Sequence, residues 1–454
     1  MKHSWLNSVF PIAAIFSFRM LGLFMLIPVF TVYATYLDAA TPALIGLALG
    51  SYGLSQGLLQ IPFGMLSDRF GRKPMITAGL LLFVCGSLMG AFTHSIYGMI
   101  LARTLQGMGA IGSVLIALLA DLTPDVQRTK AMAVIGVTIG MSFSLAMVIS
   151  PAITNYFGLA GIFYLTAFLA LMGLILLHLV IPTPRKEPFH LDSEVNTALF
   201  KQVITNRHLQ RLNLSIFCQH LILTSTFFAI PLVLQQQLKL GNLSQQWHFY
   251  LPLIIFSFII MVPFIILAEK KQQVKNVFIG SVLITVLSQF ILAFSYHHWL
   301  SICVLMFAYF VVFNILEATV PALISKQASG ESKGTAMGIY SSSQFLGIFA
   351  GGALAGIIYQ QFGAQGIFLG NSIIGLVWLF SAQYIQPNAY QATIIISYQK
   401  LNATTELLIT KLKALPGVND AIISVPEQAI YLRIDRVHYQ DGSAHQILEN
   451  YNQV

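Results

Sequence analysis

The chain has 454 residues, of which 56% are hydrophobic and 9% are charged, and its formal net charge is +8. So few charged residues provide too little polar surface to cover a set of soluble domains, which excludes that class and predicts a protein of the lipid bilayer. Basic residues of a membrane protein gather in its cytoplasmic loops, so the positive net charge requires no nucleic-acid partner.

Long apolar runs recur along most of the chain, and each is about 20 residues long, enough for a helix to cross a bilayer. The runs predict twelve membrane helices, followed by a short segment of different composition. The helices are predicted at about 8–33, 43–66, 74–94, 97–120, 130–153, 159–181, 210–236, 247–268, 275–295, 299–324, 335–359 and 365–386.

Lysine and arginine in the predicted loops fall on one side of the membrane, except for Lys239. We call this side the basic face. The positive-inside rule makes it cytoplasmic, together with both chain termini. The layout of the chain resembles that of multi-pass proteins of the bacterial inner membrane. The residues of the basic face are Arg69, Arg72, Lys73, Arg128, Lys130, Arg185, Lys186, Lys201, Arg207, Arg211, Lys270, Lys271, Lys275, Lys326 and Lys333.

The loop between the second and third predicted helices is short and charged. It reads Gly64-Met65-Leu66-Ser67-Asp68-Arg69-Phe70-Gly71-Arg72-Lys73. This order resembles the Gly-x-x-x-Asp-Arg-x-Gly-Arg-Lys loop of the Major Facilitator Superfamily. The resemblance implies an all-α membrane fold of twelve helices in two six-helix repeats, and the activity of a secondary transporter.

Two glycines of this loop are expected to have structural roles. Gly64 lets the second helix approach a neighbouring helix closely, and Gly71 permits the sharp reversal of the chain. The resemblance also implies a conformational gate made of Asp68, Arg69, Arg72 and Asp121, which holds the cytoplasmic side shut.

Within that gate, Arg72 is expected to pair with Asp121. Asp68 is expected at the N-terminus of the helix that begins near Thr335, where free amides favour an anion. The alternative is that the loop charges only enforce the topology of the chain.

The fourth predicted helix contains Arg103-Thr104-Leu105-Gln106-Gly107-Met108-Gly109-Ala110. It resembles the Arg-x-x-Gln-Gly-x-Gly-Ala motif of drug/proton antiporters, which implies that Arg103 takes part in proton coupling. In the first helix, Leu21-Gly22 and Pro28-Val29 resemble a second antiporter pattern. The fifth helix lacks three glycines of the corresponding antiporter signature, which weakens the antiporter assignment without affecting the fold.

Four ionisable residues are predicted within the hydrocarbon depth: Arg19, Arg103, His220 and Glu317. Each costs free energy there, so each is a functional candidate. Burial favours the protonated form of Glu317, which makes it our first choice for the proton carrier. The alternative role of Glu317 is that of a structural partner of Arg19 or Arg103. His220, whose side chain can titrate near neutrality, is a further candidate for proton coupling, and its alternative is a simple hydrogen-bonded helical residue.

The two halves of the chain are related, because the stretch from Arg128 to Ala133 is echoed by the stretch from Lys333 to Gly338. Between the halves, Leu191, Val195, Leu199 and Val203 predict an amphipathic helix on the cytoplasmic surface, with a simple tether as the alternative. The predicted domains are therefore two six-helix bundles, at about 1–181 and 210–387, joined by a cytoplasmic linker at about 182–209.

The C-terminal residues, from about 388 to 454, show shorter apolar runs and period-two alternation, which predicts a small cytoplasmic domain. Its expected elements are a strand (about 392–398), a helix (about 402–414), two strands (about 419–425 and 429–437) and a helix (about 441–452), which form an α+β ferredoxin-like domain.

The stretch from Leu412 to Val418 in this tail resembles a corner of heavy-metal-associated domains. The metal-binding cysteine pair of those domains is absent, because the corresponding residues run from Tyr398 to Ala403 without cysteine. We therefore predict no metal site. The small size of the domain favours the binding of a regulatory ligand or partner.

These features together predict a proton-coupled transporter that exports small amphipathic compounds by alternating access, with the proton gradient in place of a cofactor. The alternatives are a proton symporter for a nutrient such as a sugar, and a membrane sensor whose tail binds an ion or partner. No nucleophile-base pair or phosphate loop is present in the sequence, so an enzyme is not expected. The expected cavity residues are Arg19, Phe24, Gln106, His220, Asn314 and Glu317.

Overall fold

The structure is a computed structural model, and the chain divides into two compact units, residues 1–265 with 275–385 and residues 266–274 with 386–454. The residues that the structure describes are 6–123, 125–183, 197–271, 273–328, 332–385, 391–397, 405–424, 429–435 and 438–452.

The first unit is made of helices. In its first half these are α1 (Leu6–Phe24), α2 (Phe30–Tyr33), α3 (Pro42–Phe70), α4 (Arg72–Phe92), α5 (Ile96–Met108), α6 (Gly112–Asp121) and α7 (Asp125–Leu179). They are followed by α8 (Thr197–Thr205), α9 (Arg207–Lys239), α10 (Trp247–Lys270), α11 (Val274–Ser295), α12 (Trp299–Gln327) and α13 (Lys333–Ala382).

Nine helices of the described residues are long and apolar enough to cross a membrane, and Ser8–Phe24 is a shorter apolar helix. Two of the nine, in α7 and α13, are 50 residues long, about twice what a bilayer needs. Each is interrupted by a glycine with positive φ, Gly158 at 63° and Gly363 at 62°. Both interruptions lie where the sequence predicts a loop between two helices.

Two helices that we predicted as continuous are broken, and these predictions were wrong. The first predicted helix ends at Phe24 and resumes at Phe30, on either side of Pro28, which has no N–H to donate. The fourth is divided into α5 and α6 by Gly109, Ala110 and Ile111.

The break between α5 and α6 occurs where the backbone of α4 comes close. A Cβ atom added to Gly109 would overlap the carbonyl oxygen of Gly79 on α4. Glycine at position 109 therefore allows an approach that any larger residue would prevent.

The two halves of the first unit meet along α3 and α13, through glycine on both helices. Gly46 and Gly50 of α3 lie against Gly352 of α13, and Gly356 lies against the carbonyl oxygen of Pro42. These glycine contacts lie in the part of α3 that is away from the Gly71 loop, so the two halves meet on the side opposite the basic face. The contact between the two helices continues as far as Ile61 of α3 and Gly338 of α13.

The predicted linker helix is present in part. Helix α8 begins at Thr197, so Leu199 and Val203 lie within it, whereas Leu191 and Val195 lie outside the described residues. Val203 is buried and the neighbouring Ile204 is exposed, an arrangement that the amphipathic pattern predicts.

The second unit contains β1 (Gln391–Ser397), α14 (Thr405–Lys413), β2 (Val418–Ser424), β3 (Ala429–Asp435) and α15 (Ser443–Asn452). The strands form one antiparallel sheet in the order β1-β3-β2. Its hydrophobic core includes Leu408, Leu412, Ile430 and Leu432. The position that would carry a metal-binding cysteine pair, residues 398–403, lies outside the described residues.

Candidate functional site

Glu317 of α12 lies among polar side chains of α9 and α13, and we call Gln219, His220, Glu317 and Gln344 the carboxylate cluster. The carboxylate accepts hydrogen bonds from Gln219 Nε2 at 3.0 Å and from Gln344 Nε2 at 3.4 Å. His220 Nε2 is 3.7 Å from Glu317 Oε2. The Glu317 side chain keeps 35% of its surface accessible, so an acid at membrane depth is both held in place and reachable.

His220 is hydrogen-bonded through both ring nitrogens. Its Nδ1 lies 3.3 Å from the carbonyl oxygen of Ile216, and its Nε2 lies 2.8 Å from Gln344 Nε2. The amide nitrogen donates and the carbonyl accepts, which fits a neutral imidazole with its proton on Nδ1. His220 therefore belongs to the carboxylate cluster and also has the ordinary backbone bond of a helical histidine.

Arg103 does not join the carboxylate cluster. Its Nη1 donates to Gln106 Oε1 at 2.7 Å, and its guanidinium lies 4.7 Å from the ring centroid of Tyr52. Gln106 in turn donates to Ser87 Oγ at 2.8 Å. Gln106 is completely buried, so in this conformation it packs within the first half of the unit.

Arg19 belongs to a second polar group in the first half, the Arg19 network, which consists of Arg19, Gln56 and Gln60. Arg19 Nη2 donates to Gln56 Oε1, and Gln56 Nε2 donates to Gln60 Oε1 at 3.2 Å. Neither Arg19 nor Arg103 pairs with Glu317 among the described residues. The alternative role of Glu317 as the structural partner of an arginine therefore has no support in this conformation.

Phe24 lies in a row of aromatic rings that connects the two halves. Its ring centroid is 5.2 Å from that of Phe143 on α7, in an edge-to-face arrangement. Phe143 is 6.2 Å from Phe310 and 6.4 Å from Phe313, both on α12. Phe313 is also 6.0 Å from His220. The aromatic row thus leads from Phe24 to the carboxylate cluster.

Asn314 lies one turn before Glu317 but points to another helix. Its Nδ2 donates to Ser257 Oγ on α10 at 3.0 Å, and the side chain is buried. The structure therefore places Asn314 beside α10 and Glu317 between α9 and α13.

The short charged loop has one of the contacts that its sequence predicts. Arg72 Nε lies 3.0 Å from Asp121 Oδ2, and Arg72 Nη1 also pairs with Asp68. In this conformation Asp68 is therefore bound within its own half, and its position at the start of α13 stays a prediction. The Arg69 guanidinium lies 5.6 Å from the ring centroid of Phe70.

The two loop glycines differ in how strongly their positions require glycine. Gly71 has φ +98° between α3 and α4, a conformation that favours glycine, as expected for a sharp reversal. A Cβ atom on Gly64 would lie 3.4 Å from Ser113 Oγ, an ordinary contact. The neighbouring helix therefore comes less close to Gly64 than the sequence predicts.

A family profile described as the Major Facilitator Superfamily matches residues 12–271 and 212–394. The chain belongs to the Major Facilitator Superfamily. Members of this family are transporters rather than enzymes, so the chain is a multi-pass membrane transporter that contacts the lipid bilayer and a small-molecule substrate.

Among its relatives is the inner membrane transport protein YajR of Escherichia coli (strain K12), which is 41% identical over 425 residues, 93% of each chain. The quinolone resistance protein NorA of Staphylococcus aureus (strain MSSA476) is 26% identical, over 79% of this chain and 92% of NorA.

The crystal structure of a D-xylose-proton symporter is similar in fold, with a TM-score of 0.66 and 18% identity, over 85% of this chain and 99% of the symporter. The family profile and the similarity to YajR confirm the expected family membership.

Proposed function

We propose that the chain is a proton-coupled secondary transporter that exports small amphipathic compounds, with Glu317 as the proton carrier. The observation that carries this proposal is the carboxylate cluster. It holds an accessible acid at membrane depth with amide donors from two other helices. Such a group binds a proton or releases it according to the side from which it is reached, and alternating access changes that side.

Twelve membrane crossings agree with this proposal. The ten apolar helices of the described residues become twelve when the two 50-residue helices are divided at Gly158 and Gly363. An even number of crossings puts both termini on one side, which the charges of the basic face make cytoplasmic. The name of YajR supports a place in the inner membrane.

The test uses inverted membrane vesicles that contain the protein and are energised to an acid interior. Candidate amphipathic compounds are added while the interior pH is followed. We expect compound-dependent release of protons with the wild type and none with Glu317→Gln. Asp441→Asn removes an exposed acid of the second unit and serves as the control that keeps proton release. The proposal would be contradicted if no compound released protons although the protein was correctly inserted, or if Glu317→Gln released protons as the wild type does.

Proton symport of a polar nutrient is the second candidate. It is favoured by the polar lining of the first half, where the Arg19 network and Gln106 bury several amide groups. The direction of coupled flux separates the two functions. A symporter moves its substrate and protons the same way, so substrate added outside the inverted vesicles would not release protons from their acid interior.

We assign the tail to a ferredoxin-like cytoplasmic domain that binds a regulatory ligand or partner. The β1-β3-β2 order, with a helix after β1 and another after β3, supports that class. If the whole protein were instead a sensor, the tail would bind its ligand while the helices transported nothing.

A further inference from the structure

Helix α6 begins inside the membrane. It ends at Asp121 near the basic face, and Gly112, its first residue, lies about 14 Å deeper, which is close to the middle of a hydrocarbon core about 30 Å thick. The start of a helix carries a partial positive charge and free N–H groups. Here the N-cap residue Ile111 gives no side-chain cap, and the amides of Ser113 and Val114 donate to no described residue.

The guanidinium of Arg19 is directed at this helix start. Its Nη1 lies 3.4 Å from the position that a Cβ atom of Gly112 would occupy. The side chain is 3% exposed, and its Nε and Nη1 have no hydrogen-bond partner among the residues described. A cation with two unpartnered nitrogens therefore lies beside the free amides of a helix start, and an anion placed between them would accept hydrogen bonds from both.

No acid among the residues that the structure describes supplies that anion in this conformation. Glu317 is the one acidic residue deep within the described membrane helices, and it is hydrogen-bonded to Gln219 and Gln344 in the other half. Gln60 of the Arg19 network adds polarity without charge, because its Nε2 lies 3.2 Å from the same Cβ position at Gly112.

We propose that Arg19 and the N-terminus of α6 bind the carboxylate of the transported compound, so that the substrate class is amphipathic organic anions. This inference rests on the proposed function, because it names the substrate of the same transporter. One guanidinium and the backbone amides of one helix start match a single negative charge. The aromatic row that begins at Phe24 provides the apolar surface that the rest of such a compound requires.

Gly112 offers a test that keeps the positive charge. A methyl group there would stand between the guanidinium and the helix start, 3.4 Å from Arg19 Nη1 and 3.2 Å from Gln60 Nε2. Gly112→Ala should therefore exclude a carboxylate. Gly280→Ala is the matched control, since a Cβ atom at Gly280 meets nothing within 4 Å.

The experiment measures binding to the purified full-length protein as the rise of its unfolding temperature. The probes are 4-phenylbutyrate, its uncharged amide and sodium chloride. We expect 4-phenylbutyrate alone to stabilise the wild type, and its affinity to fall about tenfold or more in Arg19→Gln and in Gly112→Ala. Arg211→Gln removes an arginine of the second half, which donates to the carbonyl oxygen of Tyr384 at 2.6 Å, and it should keep the affinity.

Several results would overturn the inference: no stabilisation of the wild type, equal stabilisation by the amide, stabilisation by chloride alone, or unchanged affinity in Arg19→Gln. An equal loss in Arg211→Gln would also overturn it, because overall positive charge would then retain the anion. The measurement needs no proton gradient. If 4-phenylbutyrate binds in an Arg19-dependent way but no compound releases protons from the vesicles, only the proposed function is contradicted. If compounds release protons but no such binding is found, only this inference is contradicted.

Discussion

At the scale of single residues, three ionisable side chains at membrane depth are hydrogen-bonded to amide side chains. Arg19 contacts Gln56, Arg103 contacts Gln106, and Glu317 contacts Gln219 and Gln344. An amide orients a charged group by a hydrogen bond but does not neutralise it. The charge is therefore still available to a proton or a substrate.

The amide of Gln219 should matter for coupling. Gln219→Leu removes the shorter of the two amide contacts to Glu317, and the loss of a hydrogen bond to a charged group is expected to slow proton release in the vesicle assay by about tenfold. Gln289→Leu is the control, because Gln289 is equally buried but bonded to Asn371. Equal rates for Gln219→Leu and the wild type would show that the contact is incidental.

The Arg72–Asp121 pair should act on transport more than on stability. Asp121 is 37% exposed, and pairs of this kind contribute about 1 kcal/mol or less to the free energy of unfolding. We expect Asp121→Asn to leave the unfolding temperature nearly unchanged and to reduce the transport rate. A large fall of the unfolding temperature with normal transport would assign the pair to stability alone.

The sequence could point to Glu317 and His220 because ionisable residues are rare at membrane depth. It did not point to Gln219, Gln344, Gln56 or Gln60, which are uncharged and lie on helices far apart in the chain. Two signals were present: Gln219 directly precedes His220, and Gln56 and Gln60 are four residues apart, on one face of a helix.

At the scale of elements, the glycine contact between α3 and α13 keeps one side of the protein closed. A Cβ atom on Gly50 would lie 2.7 Å from the carbonyl oxygen of Phe349, so Gly50→Val must push the two helices apart. We expect this variant to expose a cysteine placed at Leu346, and to increase its rate of reaction with a water-soluble maleimide.

The matched control for that prediction is Gly280→Val, in which the new side chain starts from a position with no neighbour within 4 Å. It should leave the reaction rate of the cysteine at Leu346 unchanged. Protection of that cysteine in Gly50→Val, equal to that in the parent protein, would mean that the α3–α13 contact does not hold this side closed.

Helix ends follow well from hydropathy, because an apolar run must be about 20 residues long to cross the membrane. The breaks inside the first and fourth predicted helices did not follow from hydropathy, because hydropathy averaged over such a run does not detect three to five irregular residues. Their cause is backbone packing, such as Gly109 against Gly79, which depends on a neighbour that a single sequence does not identify.

At the scale of the whole molecule, the two halves enclose two polar sites of opposite charge, the Arg19 network in the first half and the carboxylate cluster in the second. Contacts between the halves close the side opposite the basic face, where α3 meets α13 and α2 packs on α9. Proton coupling requires that protonation of Glu317 shifts the balance between this conformation and one closed on the basic face.

The most direct measurement is the distance between spin labels on each side of the purified protein, as a function of pH. One pair replaces the exposed residues Tyr36 and Leu240 on the closed side, and another replaces Phe70 and Gly334 on the basic face, after substitution of Cys85, Cys218 and Cys303. We predict that pH changes the two distances in opposite directions, and that Glu317→Gln abolishes this change. A full pH response in Glu317→Gln would contradict the account.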